Sequence, residues 1–138
     1  MPAYVNSSVS GVPESSIATY PPGSTPVASA SGNVANATAT ATLAGAVGRT
    51  TYVTGFQITS AGATSAGVVT ATLAGVIGGT IAYTYETVAG ASAPNPIFNV
   101  QFANPLPASA TNTAIVLTLP ALGAGNLFTT VSLQGFQI

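Results

Sequence analysis

The stretch NATATATLAG, Asn36–Gly45, decides the fold class, because it sets threonine at alternate positions with alanine or leucine between. In an extended chain Thr38, Thr40 and Thr42 face one side, and Ala37, Ala39, Ala41 and Leu43 face the other. Side chains alternate with period two along a strand, whereas an amphipathic helix needs apolar residues three and four apart. The reading is a half-buried strand with a small-residue inner face.

The same period runs on to the C-terminus. TTYVTGFQIT (50–59) is expected to place Tyr52, Phe56 and Ile58 on one face and Thr51, Gln57 and Thr59 on the other, with SAGATSAG (60–67) as a polar loop ending the strand. VVTATLAG (68–75) aligns Val69, Ala71 and Leu73, and GVIGG (75–79) turns the chain into TIAYTYETV, where Ile81, Tyr83 and Tyr85 share a face. Further strands are expected at PIFNVQF (Phe98, Val100 and Phe102 opposite Asn99 and Gln101), at TAIVLTL (Ile115, Leu117 and Leu119 aligned) and at LFTTVSLQGFQI. That makes seven or eight short strands punctuated by Gly, Pro, Asn and Ser, with no helical period. The fold class is all-β. An eight-stranded, jelly-roll-like antiparallel β-sandwich fits the count, and an immunoglobulin-like sandwich fits nearly as well, although the Cys and Trp hallmarks of that fold are missing.

Residues 1–24 read differently, as an extended N-terminal arm ahead of a sandwich domain over 25–138. Four of the ten prolines (Pro2, Pro13, Pro21, Pro22) fall on this stretch, together with six serines. Proline fixes φ and removes a donor, which favours an irregular or extended path. Tyr4, Val5, Ile17 and Tyr20 are the spaced apolar side chains of the arm and the candidate partner contacts; the competing role is to cover the domain's own sheet.

Charged residues make up 2% of the 138-residue chain, against about a quarter of an ordinary domain. They are Glu14, Arg49 and Glu86, and the chain is still 47% hydrophobic, so it should fold. A near-neutral surface gives little protection against association and suits a protein docked to partners. Histidine, cysteine, lysine and aspartate are absent. General acid–base catalysis, nucleophilic catalysis and thiolate metal sites each draw on that set, so no enzyme, cofactor or metal is expected. One arginine cannot neutralise a phosphate backbone, which argues against nucleic-acid binding. No basic-then-apolar leader opens the chain and no apolar run reaches about 18 residues, so neither secretion nor a membrane span is expected. Arg49 and Glu86 are read either as specific subunit contacts or as isolated solvated charges.

TATLAGAVGRT (40–50) and TATLAGVIGGT (70–80) echo each other, and GFQI occurs at 55–58 and again at 135–138. Two copies are too few for a solenoid; the expectation is two strand–turn–strand units of similar geometry. Alternate threonines also raise an ice-binding face, but only the segments around Thr38–Thr42 and Thr70–Thr72 qualify. An outer-membrane barrel would need longer strands and aromatic girdles.

The run from Val34 to Ile138, with its TATLAG and GFQI segments and PPGSTP (21–26) leading in, resembles the small jelly-roll head-decoration, or cement, proteins of tailed bacteriophages. The resemblance implies a structural virion protein made in the host bacterial cytoplasm and bound to the outer surface of an icosahedral capsid. Its partners would be the major capsid protein and itself, as a dimer or other small symmetric oligomer. A tail- or fibre-associated β-sandwich subunit is the alternative. The resemblance carries no site residues.

Overall fold

The structure is a computed structural model that describes residues 20–138. Nine strands form two antiparallel sheets: β1 (Thr25–Ala30), β2 (Ala39–Leu43), β3 (Thr51–Ala63), β4 (Gly67–Val76), β5 (Gly79–Thr87), β6 (Gly90–Pro94), β7 (Phe98–Pro107), β8 (Ile115–Leu119) and β9 (Phe128–Gln137). The first sheet runs β1-β9-β3, with β6 and β7 end to end along the far edge of β3. The second runs β2-β8-β4-β5.

The pairings identify the topology. β1 pairs β9, β2 pairs β8, β3 pairs β7 and β4 pairs β5, in alternate sheets. This is one long antiparallel ribbon, turned at the β4–β5 hairpin and rolled up so that successive segments land in opposite sheets. With β6 as an addition to the β7 segment, it is the eight-stranded jelly roll. The four unpaired edges also set it apart from a closed barrel.

Inward-facing positions explain the alternation. Ala39, Ala41 and Leu43 of β2, Ile115, Leu117 and Leu119 of β8, and Ala71 and Leu73 of β4 are all buried, while the threonines between them face out. Core volume grades across the sandwich. Alanines fill the β2 side, while Phe56, Tyr83, Phe98 and Phe102 pack as an aromatic cluster on the β5–β7 side, with Phe56–Tyr83 centroids 5.0 Å apart at 66°. Such edge-to-face contacts are the favoured aromatic geometry.

Three expectations need correction. Tyr52 does not share a face with Phe56 and Ile58, because β3 bulges at Thr54: the register with β9 jumps from Val53↔Gly135 to Gly55↔Gln134. One extra residue swaps the faces, so Thr51 and Val53 point into the core and Tyr52 points out. The stretch read as a loop after Thr59 continues as strand to Ala63, held by β9 on one side and β6 on the other. Two strands, TPVASA and GASAP, were not expected; each carries a proline and too little apolar pattern to be read, and each lies on a sheet edge, where proline is tolerated.

The TATLAG echo has a geometric meaning. Its copies form β2 and β4, which flank β8: Ala41 and Leu73 both oppose Leu117, and Thr40 and Thr72 both oppose Thr118. Each copy ends in the same four-residue turn, closed by the bridges Ala46↔Arg49 and Val76↔Gly79, with Gly48 and Gly78 at positive φ. The copies then diverge, since β5 returns beside β4 while the chain after Arg49 crosses to the other sheet. The two units are thus alike as strand and turn, not as strand–turn–strand. The GFQI copies differ more: Phe56 lies in the core, and Phe136 stacks on Tyr52 on the outer face.

Gly75 (φ +86°) closes against the carbonyl of Ala114, where a Cβ would collide, whereas a Cβ at Gly67 meets open space. Gly75→Ala combines backbone strain with that collision and should cost about 3 kcal/mol or more. Gly67→Ala should change stability by less than about 1 kcal/mol. Denaturant unfolding of the two variants checks the contrast.

Candidate docking surfaces

The outer face of the β2-β8-β4-β5 sheet is a threonine-rich plane built by register. Thr40, Thr118, Thr72 and Ala82 make one row across all four strands, Thr42, Val116 and Ala74 a second, and Thr70 with Thr84 a third. More strands contribute threonine than the sequence indicated, but Val116, Ala74 and Ala82 interrupt the rows, so no continuous hydroxyl lattice forms. The outer face of the other sheet is lined by amides. Gln134 and Gln101 flank Gly55, and Ser132, Gln57 and Asn99 make the next row, with Gln101 Nε2 donating to Asn99 Oδ1 at 3.0 Å. Apart from Glu86 both faces are uncharged, and these rows are mostly polar.

Exposed apolar side chains gather instead at the two ends of the sandwich. The TATLAG turns project Val47 (89% exposed) and Ile77 (61%) at one end, joined there by Ile138, whose backbone pairs with that of Thr50. Val47 and Ile77 hold equivalent places in the echo. The opposite end shows Val68, Val88, Ile97, Leu127 and Phe128. These two groups are the candidate contact sites of the described residues.

Tyr20 lies at the turn end. Its ring meets Phe136 edge-on, with centroids 6.0 Å apart, and Phe136 stacks on Tyr52 at 5.0 Å, so three aromatics from the arm, β9 and β3 form one column on the outer face. A tight turn follows, where the Ser24 backbone N–H and hydroxyl both donate to the Pro21 carbonyl. Tyr20 thus packs on its own sheet. Tyr4, Val5 and Ile17 lie outside the described residues.

Arg49 is partly buried, and its guanidinium donates to the Thr25 hydroxyl and the Gln137 carbonyl, tying the turn to the ends of β1 and β9. Glu86 is exposed on β5. Among the described residues there is no cluster of three potential metal ligands, and no helix is long and apolar enough to cross a membrane.

The buried polar groups were not singled out from sequence. Asn126, 1% exposed, donates to the carbonyls of Ala61, Gly62 and Phe128 and accepts from the Asn36 N–H and the Thr129 hydroxyl. Asn95 bonds Ser60 and the Val88 N–H, and the Tyr85 hydroxyl bonds Ser60 and donates to the Pro96 carbonyl. Together these side chains lash the loops of the end opposite the turns. Only their neighbours in space reveal them, because an isolated Asn in a Gly-rich loop reads as turn punctuation.

Asn126→Ala would strand several buried partners and should cost about 3 kcal/mol, read by chemical denaturation. Burial raises the pKa of Tyr83 and of Tyr85, the latter partly offset by the Ser60 hydrogen bond. The folded state then keeps phenolic protons that the unfolded chain releases. The resulting contribution to stability is complete below the ordinary tyrosine pKa of about 10 and is lost as pH rises above it. Melting temperatures recorded from neutral to strongly alkaline pH should show this loss, and Tyr85→Phe should reduce it. Compared with protein-family models, with curated proteins and with solved structures, the chain matches none.

Proposed function

We propose that this chain is a structural virion protein, a cement or decoration subunit bound outside an icosahedral phage capsid, where it bridges and stabilises major capsid proteins. The supporting observation is the distribution of its surface. Exposed apolar side chains sit at both ends of the sandwich, with faces between them that carry a single charge, Glu86, and Tyr20 packs near the Val47–Ile77–Ile138 end. A body with two sticky ends and inert flanks is suited to touching two neighbours. The arm then adds reach, with Tyr4, Val5 and Ile17 as its apolar contacts. Binding only the assembled shell would stabilise that shell by mass action, and repetition over symmetric copies would multiply weak contacts.

On this reading the protein performs no chemistry and holds no cofactor. The chain carries no histidine, cysteine, lysine or aspartate, and the structure gathers its buried polar groups into bonds that hold loops together.

The test is reconstitution. Purified protein added to virus heads lacking it should bind in fixed ratio to the major capsid protein and raise their resistance to heat. Val47→Asp/Ile77→Asp changes only exposed side chains, so its melting curve should match the parent while its affinity for heads falls at least tenfold. Binding to tails or bacterial surfaces in place of heads would move the subunit to the tail or fibre and end the cement reading.

A further inference from the structure

The sandwich has four sheet edges, and three of them are guarded. β1 is six residues long and contains Pro26. β2 has five residues, and its Thr42 N–H is already taken by the Ser29 hydroxyl at 3.2 Å. The β6–β7 edge carries Pro94, Pro96, Pro105 and Pro107, and β7 loses register with β3 between Gln101 and Leu106. Short strands, prolines and irregular register are the devices that prevent edge-to-edge pairing. β5 is the least guarded, its one register shift lying at the turn end, between Val76↔Gly79 and Leu73↔Ile81. It runs nine residues without proline or lysine, and its backbone partners all lie in β4.

We propose that β5 pairs antiparallel with β5 of a second copy, joining two four-stranded sheets into one of eight strands. This inference is independent of the capsid reading. Three observations select a second copy as the occupant. The outward row of β5, Thr80, Ala82 and Thr84, has the composition that already pairs inside the sheet, where Thr72 faces Ala82 and Thr70 faces Thr84. A two-fold partner repeats the threonine–alanine contact. The charge pattern permits the match, since an axis beside Tyr83 sets Ala82 opposite Thr84 and the strand's one carboxylate, Glu86, opposite Thr80. The inward row also gains, because Ile81 and Tyr83 are only partly buried at this edge while every equivalent position on the central strand β8 is buried.

The purified full chain, studied without any shell, should sediment at twice its monomer mass. Ala82→Lys/Thr84→Lys places like charges across the axis at two exposed positions. It should give a monomer with an unchanged far-ultraviolet circular dichroism spectrum. If that variant misfolds, a cysteine scan serves instead, and the chain's lack of native cysteine keeps it clean. Single cysteines at Thr80, Ala82 and Thr84 should be joined into dimers by a short bifunctional thiol reagent, most efficiently nearest the axis, while a cysteine at Thr40 on the far edge should not. A wild-type monomer at all concentrations overturns the proposal. So does a dimer that survives the lysine pair, or one that crosslinks equally well from Thr40. A cysteine at position 82 that becomes protected only when heads are added assigns the edge to the shell protein, and self-pairing is then wrong.

Discussion

The last strand in sequence, β9, sits in the middle of the first sheet, and much of the molecule is fastened to it. It pairs β1 along six residues and β3 along most of its length. The Val131 carbonyl receives the Ser31 N–H, Val34 bridges Thr129, and Gln137 reaches the Ala44 carbonyl and the Thr51 hydroxyl. Phe136 is the seat on which Tyr20 and Tyr52 rest. The first and last described segments are therefore held together by one strand, and the sheet cannot close before the C-terminus is available. Pairings so far apart in sequence make for slow folding. They also explain why both glycines of the GFQI copies fall at the β3–β9 crossing. Gly135 lies against the Tyr52 backbone and Gly55 flanks the bulge, places where a Cβ would collide with the neighbouring strand or with Gln101.

Ion pairing contributes little to a chain with one arginine and two glutamates, so cohesion comes from apolar burial and from satisfying every buried polar atom. Both conditions are met. The aliphatic and aromatic inward rows form one core, and no buried side-chain nitrogen or oxygen among the described residues lacks a partner. An unsatisfied amide at Asn126 or Asn95 would have no compensating charge nearby, which is why each bonds on both its oxygen and its nitrogen. The same neutrality leaves solubility to hydroxyl and amide groups on the faces, and it removes the like-charge repulsion that keeps ordinary domains apart.

How much of this was legible in the sequence depends on locality. Strict alternation in ATATL, VVTATL, TIAYTY and IVLTL fixed which residues face inward, because each strand is regular over that stretch. Alternation failed at Thr54, where one bulged residue reverses the faces without leaving a mark other than the following glycine. It also missed β1 and β6, whose residues are small or proline and gain strand geometry only from their neighbours β9 and β3. The jelly roll could not be separated from an immunoglobulin-like sandwich by strand count alone, since the distinction lies in which distant strands pair. The seating of Tyr20 on Phe136 joins residues far apart in the chain, and no local pattern encodes that contact.

The two ends and the open edge have a geometric relation that follows from strand direction. β2 and β4 both run antiparallel to β8, so their turns, and with them Val47 and Ile77, emerge at the same end. Antiparallel pairing of two β5 strands reverses one copy relative to the other. Each end of the joined sheet would then carry the turn residues of one copy beside Val68, Val88 and Ile97 of the other. A monomer has two unlike ends, whereas the pair has two equivalent composite ends with the apolar surface of each enlarged. A contact area that is marginal for one copy becomes a repeated one for two, and avidity then rewards a target that presents the same surface at matching intervals. A symmetric lattice is such a target, so the unguarded edge and the apolar ends are more useful together than either is alone.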